Sequence, residues 1–534
     1  MSKLALFPLF RLAPAVAAIA LTAIPAASAQ ESEPPEGFSI FAPGEEAEQA
    51  EPETPAAVEA APAAEAPAGA WLDREAYLAR RGERSQDVLR TRWRIVTTTL
   101  DGEEIGTEQR EIVVGDGYVA EPGGEERMIC DFATGRILTR TQTLDGPVMR
   151  SRPIVAHVHR QMDTFTYYTQ GGELEEVTGP GGAQFERFWI EAAMGVRLAE
   201  VEMTVGETED DHVAVRRSEL GSEIFGFDRD GTGEGAPAAL FRAWMRHALP
   251  IHPDALRQLD PETGIPQRFS FLVFSPTSPE GRRETWIRAS ANEGETAFPW
   301  PEGLPPAGAD SYETADPAIG RLLAAGFAAL TAPAAAAPTE ETFLAAAEAA
   351  QRRADPAGAY LALYQTAHHF GPCRGRPDSP ICSRMSQVTA SGLGNDDFEA
   401  LMAALSEMQD DRPAAVETLR LHLHREGLAG AAANMLAAQA VAAAQAVDAD
   451  ALADLAPLDL FADAAGKDPY AALAYWHAGR YAAGMGDIDS AWQLFDIARA
   501  MPSSQDLPPA REAVAMHEQL RALAPGFFGP DAAR

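Results

Sequence analysis

Hydrophobic residues follow two different spacings along this chain, and the change between them falls near its middle. Residues 91–100 alternate apolar and polar and run into Asp101-Gly102, a hairpin signal. The segments 105–114, 118–121, 127–131 and 136–143 continue the alternation as short strands. Gly115-Asp116-Gly117 and Asp131-Phe132-Ala133-Thr134-Gly135 separate them. Consecutive hairpins of this kind predict an antiparallel meander. A short helix over 72–86, with Asp73 as its N-cap, precedes them. Residues 151–165 fit either a helix or a covering segment. Strands resume at 201–205 and 212–216. Residues 237–249 predict an amphipathic helix with Leu240, Trp244 and His247 near one face. The segments 267–274 and 284–289 predict a last hairpin, and Phe298-Pro299-Trp300-Pro301 an extended, proline-stiffened strand. From residue 340 onward the period is 3.6. It predicts helices at 340–353, 356–370, 396–409, 413–425, 429–446, 468–483, 487–501 and 508–523. Abundant alanine favours these helices and their close packing.

The pattern therefore predicts an α+β multidomain chain: a β-rich domain over 71–306, an Ala/Pro-rich linker over 307–339 with one helical stretch near 319–330, and an α-helical domain over 340–534. Two further segments precede these. Residues 1–29 combine Lys3 and Arg11, an apolar run over 12–24, and Ala27-Ser28-Ala29 before Gln30. That is the form of a cleavable signal peptide, with an apolar run too short to span a bilayer. No cysteine follows the cleavage point to carry a lipid. The expectation is a periplasmic or secreted protein with no integral membrane span after cleavage. Residues 30–70 form an acidic Ala/Pro/Glu linker with too few large apolar side chains to offset chain entropy, so disorder is expected there. Phe38-Ser39-Ile40-Phe41 stands apart, either as a transient docking element or as an incidental apolar spot.

Charge narrows the partners. The formal net charge of −36 over 534 residues argues against nucleic acid, whose phosphates require clustered Lys and Arg, and against bare anionic membrane. The 46% hydrophobic content is ordinary for a globular chain. Of the 3 cysteines, Cys373 and Cys382 bracket a loop containing one Gly and two Pro, which an exported protein could close as a disulfide. His368 and His369 lie nearby without a second ligand pair, so no metal is expected there. Cys130 falls in a strand and reads as a buried free thiol.

Near the C-terminus, Tyr475, Ala478, Gly479, Gly486, Ala491, Phe495, Ala498 and Pro502 resemble the tetratricopeptide repeat pattern. Gly479, Ala491 and Ala498 would let two antiparallel helices approach, Gly486-Asp487 would turn, and Phe495 would fill the groove. Pro502 falls one residue earlier than the repeat usually has it. The resemblance covers about one repeat, over 470–502. It implies a short solenoid whose neighbouring helices are degenerate repeats. The helices read by themselves also fit an irregular bundle with one repeat-like hairpin.

A second resemblance spans residues 91–306. The opening meander, Met128-Ile129-Cys130-Asp131, Thr134-Gly135-Arg136-Ile137-Leu138, Gly264-Ile265-Pro266 and the closing Phe298, Pro301 and Gly303 are similar to the LolA-like cell-envelope family. The middle, 170–235, departs from the pattern. The resemblance implies an antiparallel β half-barrel with helices covering its hollow side, and in that hollow a site for an apolar ligand. Trp93, Phe188, Trp189, Phe241, Trp244, Phe271 and Trp286 are the candidate lining, with Phe225, Phe227 and Phe269 beside them. The bland alternative is that these rings are simply core.

Catalytic signatures are missing: there is no nucleophile elbow, no Ser-x-x-Lys and no His-Glu-x-x-His. Asp228-Arg229-Asp230-Gly231 with Glu234 lacks the ligand spacing of a calcium loop and reads as a turn. His157 and His159 would share a face if their segment were a strand, whereas His422 and His424, two apart in a helix, would not face each other. No catalytic residue, metal or cofactor is expected. The leading expectation is a non-enzymatic envelope protein that binds a lipid or acyl chain in the β domain and a protein partner on the helical array. The alternatives are a pure interaction scaffold with a filled barrel and, third, an enzyme acting on envelope polymers through residues no motif reveals.

Overall fold

The computed structural model describes residues 70–529, apart from 83–84, 124–127, 170–175, 179–183, 198–200, 208–210, 218–222, 276–277, 313–315, 334–335, 372, 374–377, 409–410, 449–450 and 503–507. The expectations for 1–29 and 30–69 lie outside the described residues. Two compact units emerge among those described. The β unit comprises 70–316, 326–333 and 495–529, and the helical unit 317–325 and 336–494.

In the β unit, α1 (Arg74–Arg81) starts where Asp73 accepts the Ala76 N–H at 2.7 Å. The meander follows as β1 (Gln86–Thr99), β2 (Glu104–Gly115), β3 (Tyr118–Glu121), β4 (Met128–Asp131), β5 (Arg136–Thr143) and β6 (Gly146–Pro153). Next come α2 (Ile154–Thr169), β7 (Glu176–Thr178), β8 (Gln184–Glu186), α3 (Arg187–Met194), β9 (Met203–Glu207), β10 (His212–Arg217), β11 (Glu223–Asp228) and β12 (Gly231–Thr232). The unit's main run ends with α4 (Ala236–Ala248), α5 (Pro253–Leu256), β13 (Ile265–Pro266), β14 (Arg268–Ser275) and β15 (Ser278–Thr296). Eleven strands form one antiparallel sheet in the order β6-β5-β4-β3-β2-β1-β15-β14-β11-β10-β9. The sheet is open, because its two edge strands do not pair with each other.

Strand alternation gives the sheet two covered faces. On one, Val113, Ala120, Ile129 and Leu138 join Tyr77 of α1 with Phe298 and Trp300 in a single buried cluster. The Tyr77 hydroxyl donates to Asp131 Oδ2 at 2.6 Å, and the Thr134 hydroxyl does so at 2.7 Å, which pins α1 to the β4–β5 turn. Burial raises the Asp131 carboxyl above its ordinary range despite Arg81 and these hydrogen bonds. Residues 298–301 are not a strand, as expected from sequence, but an irregular anchor. Phe298 and Trp300 lie tilted against Tyr77 with centroids 5.9 and 5.2 Å away, and the Trp300 indole N–H donates to Leu304 O. Residues 151–165 resolve mainly as α2, so His157 and His159 are two apart in a helix and do not share a face.

The helical unit holds α6 (Pro317–Thr331, of which 317–325 belong here), α7 (Glu340–Arg352), α8 (Pro356–Tyr364), α9 (Ala367–Phe370), α10 (Pro380–Gly392), α11 (Asp396–Glu407), α12 (Arg412–Arg420), α13 (Gly427–Gln445), α14 (Pro457–Lys467) and α15 (Ala472–Gly484). α16 (Ile488–Ala500) passes from this unit to the β unit at Leu494, and α17 (Pro508–Leu523) lies in the β unit. The single helix predicted over 356–370 is two, because the chain turns at Gln365-Thr366. The helix predicted to reach residue 425 ends at Arg420, which leaves His422 and His424 in turns. α10 and α14 were not predicted. α7 packs on α8, and each of α11 to α14 packs on the helix after it; α10 and α13 also pack on α8, and α15 on α9. α13 is the described helix long and apolar enough to cross a membrane, yet 72% of its apolar window is buried inside the protein.

The linker expected over 307–339 contains α6. Residues 495–529, expected to continue the helical domain, cluster instead with the β unit. Two attachments account for this: Asp496 pairs with Arg136 at 2.9 Å, and Phe527 is buried against α4.

Candidate functional site

The face of the sheet covered by α4 carries most of the residues that sequence assigned to a ligand site. A bulge between Arg92 and Trp93 shifts β1 against β15 and aims Trp93 inward, where its indole N–H donates to Thr91 Oγ1 at 2.8 Å. Trp286 of β15 and Phe269 of β14 sit directly opposite each other in register, with rings 5.3 Å apart. Above them lies α4, started by Gly235 at φ +75 and Pro237 in its first turn. Phe241 stacks on Trp93 at 5.7 Å, and Trp244 meets Trp286 edge-on at 6.1 Å. Trp93, Phe241, Trp244, Phe271 and Trp286 are each at most 1% exposed. Five of the seven candidate lining residues therefore occupy one another's space, as do Phe225, Phe227 and Phe269, which are equally buried core.

Phe188 and Trp189, the other two, stand apart on α3. With Ile224, Phe225, Ile251, His252 and Leu272 they border a cavity of about 10 Å³, the size of one water molecule. His252 borders it and pairs with Glu191 of α3, and sequence reasoning missed both. His252 Nε2 lies 3.0 Å from Glu191 Oε2, and both side chains are at most 2% exposed. The backbone N–H of Asp254 donates to His252 Nδ1 at 3.1 Å, which leaves Nε2 as the protonated nitrogen facing Glu191. The Phe188 ring lies flat on the imidazole, 4.6 Å away and 8° from parallel. Glu191, the lone carboxylate in the apolar run of α3, was a legible signal. His252 was legible only as the cap of a four-residue helix. Among the described residues bordering the cavity no side chain carries a hydroxyl or thiol.

The repeat-like residues occupy α15, α16 and their flanks. Tyr475, Ala478, Gly479, Ala491, Phe495 and Ala498 are buried, Gly486 turns the chain at φ +83, and Pro502 is exposed. Cys373 and Cys382 are joined as a disulfide with Cα atoms 5.6 Å apart. His368 and His369 turn away from metal chemistry into a buried polar network. His369 Nε2 and Gln365 Nε2 each lie 2.7 Å from Asp468 Oδ2, and His368 Nδ1 is 2.9 Å from Gln365 Oε1. Burial raises the Asp468 carboxyl, but these hydrogen bonds outweigh it and hold the group below its ordinary value. Among the described residues no three His, Cys, Asp or Glu side chains are grouped to hold a metal ion. Cys130 is fully buried, and burial pushes its thiol far above its ordinary value.

No family model matches this chain, and no curated protein matches it either.

Proposed function

We propose that this is an exported, non-enzymatic interaction protein of the cell envelope, with a LolA-like half-barrel filled by its own side chains and a helical bundle, with one tetratricopeptide-like hairpin, that receives a protein partner. The observation that carries the reading is the filled sheet. Four indole and phenyl rings from α4, β1 and β15 pack edge-to-face and stacked where a carrier would keep a hollow. An acyl chain needs a continuous apolar space far larger than the water-sized cavity under α3. Export rests on residues 1–29, and the helical surface on the repeat-like pattern at 470–502. The packing of α13 on α8 supports a compact bundle over an extended solenoid, in which each repeat touches only its neighbours.

A second reading keeps the lipid or acyl ligand and puts it beneath α3. The observation in its favour is that Phe188 and Trp189 of α3 border the cavity there, beside the buried Glu191–His252 pair. The experiment that separates them is native mass spectrometry of the protein taken from its own envelope, before and after solvent extraction. The filled-sheet reading expects one apo mass in both. A lipid adduct that vanishes on extraction overturns it and favours the second.

A further inference from the structure

β3 and β4 are short strands in a long sheet, and they leave part of β2 without a neighbour. β2 runs over Glu104–Gly115, yet β3 pairs with it only from Val113 to Gly115. The early stop has a local cause: Pro122 follows Glu121 and brings no N–H to a ladder. Gly115 and Tyr118 close a two-residue turn as the hydrogen-bonded pair of a hairpin, so Gly115 and Val113 point their N–H and C=O groups at β3. The period of two carries that side on through Glu111, Gln109 and Thr107. Among the described residues no strand pairs with them there. On the other side β1 holds the segment in register, from Arg92 opposite Glu111 to Thr98 opposite Glu104. Residues 104–109 are all exposed, so the ribbon stands clear of both layers that cover the sheet.

Other edges of the sheet are less inviting. β6 is covered, because the Met149 N–H donates to Pro305 O and the Ala307 N–H to Met149 O, both at 2.8 Å. β9 is only five residues long. β15 is free over 289–296, past its last pairing with β14 at Ile287, but that stretch has no large apolar side chain. The free part of β2 presents Ile105, 61% exposed, beside Leu100 of the adjoining turn, 51% exposed.

Charge selects the occupant. Glu111 is paired with Arg90 and Arg92 at 3.3 Å, and Glu108 with Arg110 at 2.8 Å. Asp101, Glu103 and Glu104 have no cation within ion-pair distance among the described residues. A second copy is a poor occupant, because its β2 would bring the same acidic side chains and its free β15 edge would bring Glu293 and Glu295. We infer that the free part of β2 is a docking edge for an extended, basic segment of another protein, which joins the sheet as a strand. Main-chain hydrogen bonds to Thr107, Gln109 and Glu111 supply the affinity. Alternate side chains of the incoming strand supply the selection, with lysine or arginine meeting Asp101, Glu103 and Glu104 and an apolar residue covering Ile105. The edge belongs to the β unit alone and does not depend on a partner for the helical unit.

The test uses the chain from Gln30 onward and two capped synthetic octapeptides, one of Lys-Val repeats and one of Glu-Val repeats. Hydrogen exchange is followed amide by amide over 104–111. The Lys-Val peptide should slow exchange at Thr107, Gln109 and Glu111 about tenfold or more and leave Glu108 and Arg110, already bonded to β1, unchanged. The Glu-Val peptide should slow none of them. Gln109→Pro removes an outward N–H, takes no bond from β1 and keeps the charge, so it should weaken binding of the Lys-Val peptide about tenfold. Binding without the alternation of protection, equal binding by Gln109→Pro, or no binding at all would overturn the inference. Should Gln109→Pro fail to fold, the alternation on the unaltered chain decides. Protection of the same amides that grows with protein concentration, with no peptide present, would give the edge to a second copy and overturn the inference as well.

Discussion

Replacing Trp244 by alanine removes a ring of α4 that packs on the sheet. Trp244 is completely buried, with Phe241 5.2 Å and Trp286 6.1 Å from it. Truncating such a ring forfeits its transfer free energy and leaves a cavity that the rigid sheet beneath can only partly collapse. Large-to-small changes of this kind cost about 3–5 kcal/mol. Collapse is resisted because β1, β15 and β14 are central strands held on both sides by ladder hydrogen bonds, so the upper part of that range is expected. The assay is urea unfolding of the chain from Gln30, followed by far-ultraviolet circular dichroism and by tryptophan fluorescence for the β unit. At unchanged slope the midpoint should fall by an amount equivalent to about 4 kcal/mol. The cavity should also be dry, as engineered apolar cavities of about 150 Å³ are, and should bind benzene or indole where the unaltered protein does not. A loss below about 1 kcal/mol, with no gain of ligand binding, would mean that the rings do not fill the sheet, and would return weight to a preformed apolar site.

Other consequences are as direct. Asp468→Ala leaves His369 and Gln365 buried without their shared acceptor and should cost the helical unit about 3–5 kcal/mol in urea unfolding; a change under about 1 kcal/mol would contradict the network. Burial holds His159 at about 4 and His368 at about 3, against about 6.5 in the unfolded chain. Below pH 6.5 the unfolded state takes up protons that the native state refuses, so stability is full near neutrality and drains as pH falls toward 3, with His159 alone accounting for about 3 kcal/mol. Urea midpoints measured from pH 7.5 to 4 should therefore decline, and a flat profile would count against buried neutral imidazoles. Replacing Cys373 and Cys382 together by serine opens a short loop and should destabilise the helical unit by about 3 kcal/mol on the chain-entropy account, which reduction with dithiothreitol should reproduce in the unaltered protein.

Much of the sheet was legible because each strand carries its own evidence. Alternation placed β1 to β5, Asp101-Gly102 and Gly135 marked turns that need positive φ, and Asp73 capped α1 as its side chain requires. What failed was equally local in cause. Phe298 to Pro301 looked like a strand because proline and aromatic residues favour extended backbone, but Phe298 and Trp300 gain more by burying against Tyr77 than by joining a ladder. α10 and α14 were not predicted, although α14 buries Leu458, Leu460 and Phe461. Of the site, the aromatic residues were found as a class. Which of them fill the sheet and which border the cavity was not legible, since Trp93 and Trp189 look alike until α4 is laid over one and α3 over the other.

The sequence by itself determined the change from period 2 to period 3.6, the acidity, the cysteine pair and the caps, because each depends on residues within a few positions of one another. Only the tertiary structure decided the rest. It laid α4 over Trp93 and Trp286 of the sheet, paired Glu191 with His252 across sixty residues, and returned 495–529 to a unit left behind almost two hundred residues earlier. Those outcomes depend on which surfaces meet, and burial energy between distant segments depends on shape and area, which no local pattern encodes.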